Sequence, residues 1–217
     1  MSIKCVFFDL DGTLADTSVD MCNALNTVLL NNKFKTVDCI KLKTHISKGA
    51  LGMISYASTV NGRPIDSSLL RADFLQEYSE NCFIHTEMVK NMMKLIDHIN
   101  NNSIPWGIVT NKHSKFVTKI IKELELESKI NCVVTGDMVS EPKPSPEGLI
   151  EASKLVNIQP TDCVYVGDDE RDIIAGKAAG MLTVAADFGF INEDEDINTW
   201  QADMIIKDPI ELIELIV

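Results

Sequence analysis

The sequence predicts an α/β protein: a doubly wound parallel sheet interrupted once by an all-α insert. Three observations carry that prediction. Short apolar runs without polar alternation recur, beginning with Val6, Phe7 and Phe8, as in strands buried on both faces of a parallel sheet. From Glu87 onward such runs alternate with helical stripes, the rhythm of a parallel sheet covered by helices. Between the first run and that rhythm, residues 16–85 carry helical or turn-like text with no convincing β run. That stretch is far longer than an ordinary strand-to-helix connection of about 2–6 residues, and it reads as an inserted helical cap. The expected division is therefore a core of 1–15 with 86–217 and a cap of 16–85.

The first strand lies in Ile3 to Leu14, which reads I-K-C-V-F-F-D-L-D-G-T-L. After it, Thr17-x-x-Asp20 has the form of a capping arrangement, and Val19, Cys22, Leu25, Val28 and Leu29 follow at helical spacing. Two glycines break the helical text at Lys48-Gly49-Ala50-Leu51-Gly52, and Asn61-Gly62-Arg63-Pro64 is a turn. Leu69, Leu70, Phe74, Leu75 and Tyr78 resume the stripe. In the second part, Met88, Met92, Leu95, Ile96 and Ile99 form a helical face, with methionine as core filler. The strand Trp106–Val109 ends in Thr110-Asn111-Lys112, and Ser114 can cap a helix faced by Phe116, Val117, Ile120, Ile121 and Leu124. Cys132–Val134 is a short strand, and Ser145-Pro146-Glu147 opens a helix with proline in its first turn. The strand Cys163–Val166 stops at Gly167-Asp168-Asp169; Ile173, Ile174 and Ala178 begin a helix that ends near Gly180. Leu182–Ala186 and Met204–Ile206 are further strands, residues 210–217 a short terminal helix, and Glu193-Asp194-Glu195-Asp196 a solvated acidic loop. The result is a Rossmann-like core with one insertion.

A chain of 217 residues suffices for one core plus a small insertion. Its formal net charge of −12, from 32 acids against 20 bases, argues against nucleic acid as a partner. An anionic small molecule stays compatible with that charge if lysines, a metal and helix N-termini make one site locally positive. Cys5, Cys22, Cys39, Cys82, Cys132 and Cys163 are scattered, without C-x-x-C or histidine partners, and read as reduced core thiols of a cytoplasmic protein. The start Met1-Ser2-Ile3 runs into a strand without a signal peptide, and no apolar stretch reaches membrane-spanning length. No membrane partner is expected, and the chain is expected to act as a monomer or weak homodimer.

Chemistry gathers where strands end. Asp9 and Asp11 follow the first strand at i and i+2, and paired carboxylates at the end of an interior strand are costly to desolvate. Open α/β sheets bind ligands at that edge, so a hard cation with oxygen ligands is one natural compensation, a solvated strand end the other. Gly12 permits a sharp turn that brings backbone amides near a bound group. Thr110 and Asn111 follow the Trp106 strand, Lys143 stands between Pro142 and Pro144, and Asp168, Asp169 and Asp172 follow the Tyr165 strand.

This ordered set, D-x-D-G-T, then a threonine after a strand, then K-P, then G-D-x-x-x-D, resembles the haloacid dehalogenase superfamily over essentially the whole chain. The helical insert is similar to the small cap of its phosphoglycolate phosphatase group. The resemblance implies a phosphatase of small phosphate monoesters. Asp9 would attack phosphorus to form an aspartyl-phosphate. Asp11 would protonate the leaving oxygen and then activate water, the neighbouring acids favouring its protonated form. Mg²⁺ would be held by Asp9, the backbone carbonyl of Asp11 and Asp168, with Asp172 acting behind them or through water. Thr110 and amides near Asn111 would bind phosphoryl oxygens, and Lys143 would offset charge on Asp9 and the phosphate. Dehalogenating members lack an aspartate at the position of Asp11, so its presence favours phosphate esters.

For the substrate, Lys48 and Gly49 resemble the specificity loop of such caps, where lysine could meet a carboxylate or sugar oxygen or simply be solvated. Arg171 and Lys112 are candidates to face the opening. The stretches His45–Ala50, Trp106–Lys112, Gly167–Ile173, Phe188–Ile191 and Trp200–Asp203 are most similar to bacterial N-acetylmuramic acid 6-phosphate phosphatases, which sets a muramyl sugar phosphate beside 2-phosphoglycolate. Where relatives usually carry glycine on the return from the cap, this chain has Asn91, which also tolerates left-handed geometry. Two alternatives stand: a sugar phosphomutase of the β-phosphoglucomutase type, and a non-enzymatic phospho-responsive domain. The second would place its phospho-acceptor on a later strand and would lack the insert.

Overall fold

The computed structural model describes residues 3–191 and 195–216. Of the acidic run, Glu193 and Asp194 therefore lie outside the described residues, as does Val217 of the terminal helix. The strands and helices are β1 (Cys5–Phe8), β2 (Ala15–Asp16), α1 (Ser18–Asn31), α2 (Cys39–Lys43), α3 (Gly49–Asn61), α4 (Ser67–Asn81), β3 (Glu87–Met88), α5 (Met92–Asn101), β4 (Trp106–Val109), α6 (Ser114–Glu123), β5 (Cys132–Val134), α7 (Glu147–Leu155), β6 (Cys163–Gly167), α8 (Glu170–Ala179), β7 (Leu182–Ala186) and β8 (Met204–Ile206). No described helix is long and apolar enough to cross a membrane.

Six strands form a sheet in the order β5-β4-β1-β6-β7-β8, every neighbouring pair parallel. The α/β class read from the apolar runs is thus the observed one. β1 is central because its residues can be buried on both faces: Cys5, Val6, Phe7 and Phe8 are fully inaccessible. Phe7 packs with Val109, Leu149, Tyr165 and Ala175, so α7 and α8 cover that face. Phe8 points the other way and meets Trp106 edge to face at 6.1 Å. The register Phe8↔Ile108 and Phe8↔Val166 brings the ends of β1, β4 and β6 level, and the order in which strands are added reverses at β1. That reversal opens the crevice at the carboxyl edge where ligands of such sheets bind.

Residues Met1–Ala15 with Met88–Val217 form one compact unit, and Asp16–Glu87 the other. In the helical unit α1, α2, α3 and α4 pack together, and no strand longer than two residues occurs among its described residues. Asn26 joins α1 to the following loop, donating to Val37 O at 3.0 Å and accepting from Val37 N at 2.8 Å.

Several local expectations change. Cys22 and Cys39 are joined as a disulfide, Cα atoms 5.5 Å apart, so the six cysteines are not all reduced thiols. Their meeting depends on how α2 folds back on α1, which spacing in the sequence does not reveal. Cys5, Cys82, Cys132 and Cys163 are free and buried. Thr17 and Asp20 do not form a capping pair: Asp16 accepts from Ser18 N and Oγ instead. The Asp20 carboxylate, 2 % exposed, accepts from the backbone N–H of Ile84, His85 and Thr86 and from Thr86 Oγ1. At α6 the cap is His113, whose Nδ1 accepts from Lys115 N, while Ser114 binds Asp137. Ile174 and Ala178 of α8 face outward; Asp172, Ile173, Ala175 and Gly176 face inward, because Gly176 lets the helix approach Thr183 and Tyr165. Val19 and Leu69 are likewise exposed, and the terminal helix is a 3-10 segment, Pro209–Glu214. Asn91 does adopt the left-handed conformation, at φ 65°, and donates to Asp208.

Candidate active site

One residue beyond the paired part of β1, Asp9 N still donates to Val166 O at 2.9 Å, so the ladder itself fixes the Asp9 backbone at the sheet edge. The chain then turns through Gly12 at φ 86°. A side chain there would be strained in backbone and would collide with the Asp168 carboxylate; one at Gly189 would collide with Asp168 from another direction. Asp168 sits in the slot between them, one oxygen accepting from Thr13 Oγ1 at 2.7 Å and the other from Phe190 N at 2.8 Å.

Asp172 is set by α8. Asp169 caps that helix and Asp172 Oδ2 accepts from Asp169 N at 3.1 Å, forming a reciprocal capping box. The same carboxylate presents Oδ1 to Lys143 Nζ at 2.6 Å. Lys143 is held by Asn111, whose side chain donates to Lys143 O at 2.9 Å and accepts from Lys143 N at 2.8 Å. The Lys143–Pro144 peptide is cis. Lys143 Nζ also donates to Tyr165 Oη at 2.7 Å and lies 2.9 Å from Asp9 Oδ1. Tyr165 Oη in turn donates to Val109 O at 2.8 Å. Asp9 Oδ1 is buried against the Lys143 ammonium.

Burial alone would pull the Lys143 pKa down; Asp172 and Asp9 outweigh it and hold the lysine above its ordinary range. Burial, then Asp9 and Asp172, push Asp168 well above the usual carboxylate range. Asp172 is raised to about 6 by burial and by Asp9, with Lys143 pulling against them. Asp9, Asp168 and Asp172 bring carboxylate oxygens within 4.8 Å of one another. Fully ionised, three carboxylates against one ammonium leave two negative charges unmatched. An all-oxygen donor set of that charge fits a hard divalent cation.

The other expected residues are placed as follows. Thr110 is buried at the end of β4, its Oγ1 accepting from Lys112 N at 3.2 Å. The Asn111 side chain is committed to the Lys143 backbone, so any part it takes in phosphoryl binding falls to its main chain. Asp11 stands apart from the three-acid cluster, paired through Oδ1 with Lys112 Nζ at 2.8 Å. Arg171 does not reach outward freely: Nε donates to Asp169 Oδ1 at 2.7 Å and Nη2 to Oδ2 at 3.0 Å. Lys48 and Gly49 lie in the helical unit at the start of α3. Three contributors escaped the sequence reading. Thr13 stood inside a quoted motif, Tyr165 was a hydroxyl within an otherwise apolar strand, and the Phe190 amide left no sequence signal.

Residues 6–186 match the family model described as haloacid dehalogenase-like hydrolase. The chain belongs to that family. A relative from Pseudomonas putida, named N-acetylmuramic acid 6-phosphate phosphatase, is 34 % identical over 100 % of this chain and 97 % of its own. One from Xanthomonas campestris, named phosphoglycolate phosphatase, is 33 % identical over 97 % of this chain and 95 % of its own. These haloacid dehalogenase-like relatives are by name phosphoric monoester hydrolases. Among solved structures, a predicted phosphoglycolate phosphatase from Haemophilus somnus shares the fold with a TM-score of 0.89 at 22 % identity, covering 99 % of this chain and 98 % of that one.

Proposed function

We propose that the chain is a Mg²⁺-dependent phosphatase of small phosphate monoesters, working through an aspartyl-phosphate on Asp9. The observation that supports this most directly is the acid cluster at the sheet edge: carboxylate oxygens of Asp9, Asp168 and Asp172 within 4.8 Å of one another, with the Lys143 ammonium against Asp9 and Asp172.

Asp9 attacks phosphorus in line with the leaving oxygen while Lys143 limits the repulsion between carboxylate and phosphate. Thr110 orients a phosphoryl oxygen. Asp11 gives its proton to the departing alkoxide, then takes one from the water that cleaves the aspartyl-phosphate. Asp9, the main chain of Asp11, and Asp168 would hold the cation, with Asp172 behind them, and Mg²⁺ bound there would supply charge neutralisation for the transferring group. The helical unit of residues 16–85 serves as the cap, with Lys48 and Gly49 contributing to specificity.

For the substrate we favour N-acetylmuramic acid 6-phosphate, on the relatives of that name from Pseudomonas putida and Pseudomonas aeruginosa, each aligned over 100 % of this chain. 2-Phosphoglycolate is the second reading, supported by the Xanthomonas relative. The test is phosphate release from both, from glucose 6-phosphate and from p-nitrophenyl phosphate, with Asp9→Asn as the blank. Release that needs Mg²⁺, stops with EDTA and vanishes in Asp9→Asn is expected. Metal-independent turnover would refute the site, and transfer of phosphate to sugar instead of water would restore the mutase reading.

A further inference from the structure

Tyr165 carries a hydroxyl in an otherwise apolar strand, fully buried in one core cluster with Phe7, Leu149 and Ala175. Phenylalanine would fill that space as well, and a buried hydroxyl is costly unless it is hydrogen-bonded. Its single proton goes to Val109 O at 2.8 Å; the other acceptor in reach, Asp172 Oδ1 at 3.1 Å, is already held by Lys143 at 2.6 Å. Lys143 Nζ has four oxygens around it: Asp172 Oδ1 at 2.6 Å, Tyr165 Oη at 2.7 Å, Asp9 Oδ1 at 2.9 Å and Val109 O at 3.3 Å. An ammonium has only three protons. Asp172 and Tyr165 take two, so Asp9 and Val109 O compete for the third. Asn111 fixes the Lys143 main chain and Asp172 holds the tip, but neither chooses between those two oxygens. The Tyr165 hydroxyl does: it supplies Val109 O with its own proton, and the ammonium stays 3.3 Å from that carbonyl, outside the usual range of about 2.7–3.2 Å.

We propose that Tyr165 is a positioning residue: its hydroxyl, anchored on Val109 O, keeps the third proton of the Lys143 ammonium turned to Asp9. The inference rests on the phosphatase reading above, in which Lys143 offsets the charge on Asp9 while that carboxylate attacks phosphorus. Tyr165 itself touches neither substrate nor cation in this role and exchanges no proton. Without the hydroxyl, an ammonium short of an acceptor and a carbonyl short of a donor stand 3.3 Å apart, and they close on each other. Lys143 then keeps its charge and its hold on Asp172 but leaves Asp9.

Tyr165→Phe is the test, because it keeps the ring and removes only the oxygen. Crystal structures of wild type and variant, both grown with Mg²⁺, give the first readout. In the variant, Lys143 Nζ should move to within about 3.0 Å of Val109 O, and its distance to Asp9 should lengthen past about 3.2 Å, the outer limit of a normal hydrogen bond. Phosphate release gives the second. On whichever ester of the panel wild type turns over best, kcat should fall about 10-fold, the worth of one charge-assisted hydrogen bond, while KM stays near wild type. A hydroxyl that merely satisfied Val109 O would lower the urea midpoint of Tyr165→Phe and leave both Nζ and kcat where they are. An unmoved Nζ, an unchanged kcat, or a raised KM with kcat kept would each overturn the proposal. If wild type releases phosphate with Mg²⁺ and Tyr165→Phe matches it, this inference fails alone. If wild type releases none from any ester, the phosphatase reading fails, and the proposed role of Tyr165 in the reaction fails with it, whatever Nζ does.

Discussion

Replacing Lys143 by methionine keeps the volume of the side chain and removes one charge from a nearly closed site, where Lys143 is 7 % exposed. Its ammonium faces Asp172 at 2.6 Å and Asp9 at 2.9 Å. At an effective dielectric near 20, each pair is worth about 6 kcal/mol of attraction, against which the desolvation of the ammonium counts several kcal/mol. The net loss expected for leaving two carboxylates buried without their cation is about 3–5 kcal/mol. Asp172, raised to about 6, can take up a proton instead at lower pH, so the loss should shrink at acid pH. Urea unfolding of metal-free wild type and Lys143→Met at pH 7.5 and pH 5 measures both quantities, and phosphate release under Mg²⁺ should fall at least about 100-fold. A stability loss under about 1 kcal/mol, or one that is the same at both pH values, would refute the claim that Lys143 is the electrostatic keystone of the acid cluster.

Metal and pH should be linked. Asp172, raised to about 6 in the metal-free fold against 3.8 as its ordinary value, binds a proton that the unfolded chain has released, so stability is present below about pH 4 and declines as pH rises to about 6, by up to about 3 kcal/mol. The rise in Tm on adding Mg²⁺ should therefore be larger at pH 7.5 than at pH 5; a shift independent of pH would count against a cation at these acids. Gly12→Ala should lose Mg²⁺ affinity and activity together, with about 1–2 kcal/mol of stability lost to the left-handed backbone. Gly62→Ala, left-handed but in open space, should lose stability only, and equal activity in the two variants would dismiss the Asp168 collision. Asp20→Asn removes the charge that receives four N–H and O–H donors and should destabilise the helical unit by about 2–3 kcal/mol in urea unfolding; an unchanged midpoint would show that the neutral amide serves equally well.

The sheet was readable because buried parallel strands leave a continuous apolar signature, and each such run stopped at polar residues that could not continue it. Asp9, Thr110, Lys143, Asp168 and Asp172 were readable for the same reason: the end of an interior strand is a costly place for a polar side chain unless it has work there. What stayed hidden depends on tertiary approach. The pairing of Cys22 with Cys39 needs α2 to fold back on α1. The partner of Asp20 lies more than sixty residues away, on the segment returning from the helical unit, so the nearby Thr17 offered a more economical but incorrect explanation of the same acid.

Asp172 shows why motif and fold resist separation here. Its Oδ2 closes the N-terminal turn of α8, and its Oδ1 anchors Lys143. The G-D-x-x-x-D spacing is accordingly also a helix-start signal: the second aspartate of Asp168-Asp169 caps the helix, and three residues later Asp172 answers it. That geometry leaves Asp168 just outside the helix, where Gly12 and Gly189 close around it, and puts Asp172 just inside, under Lys143. A carboxylate that is already tied at one oxygen has little freedom left, so the lysine it anchors is equally confined. The position of Lys143 relative to Asp9 is thus inherited from a helix cap on the neighbouring strand, and the charge balance at the sheet edge is as rigid as the start of α8.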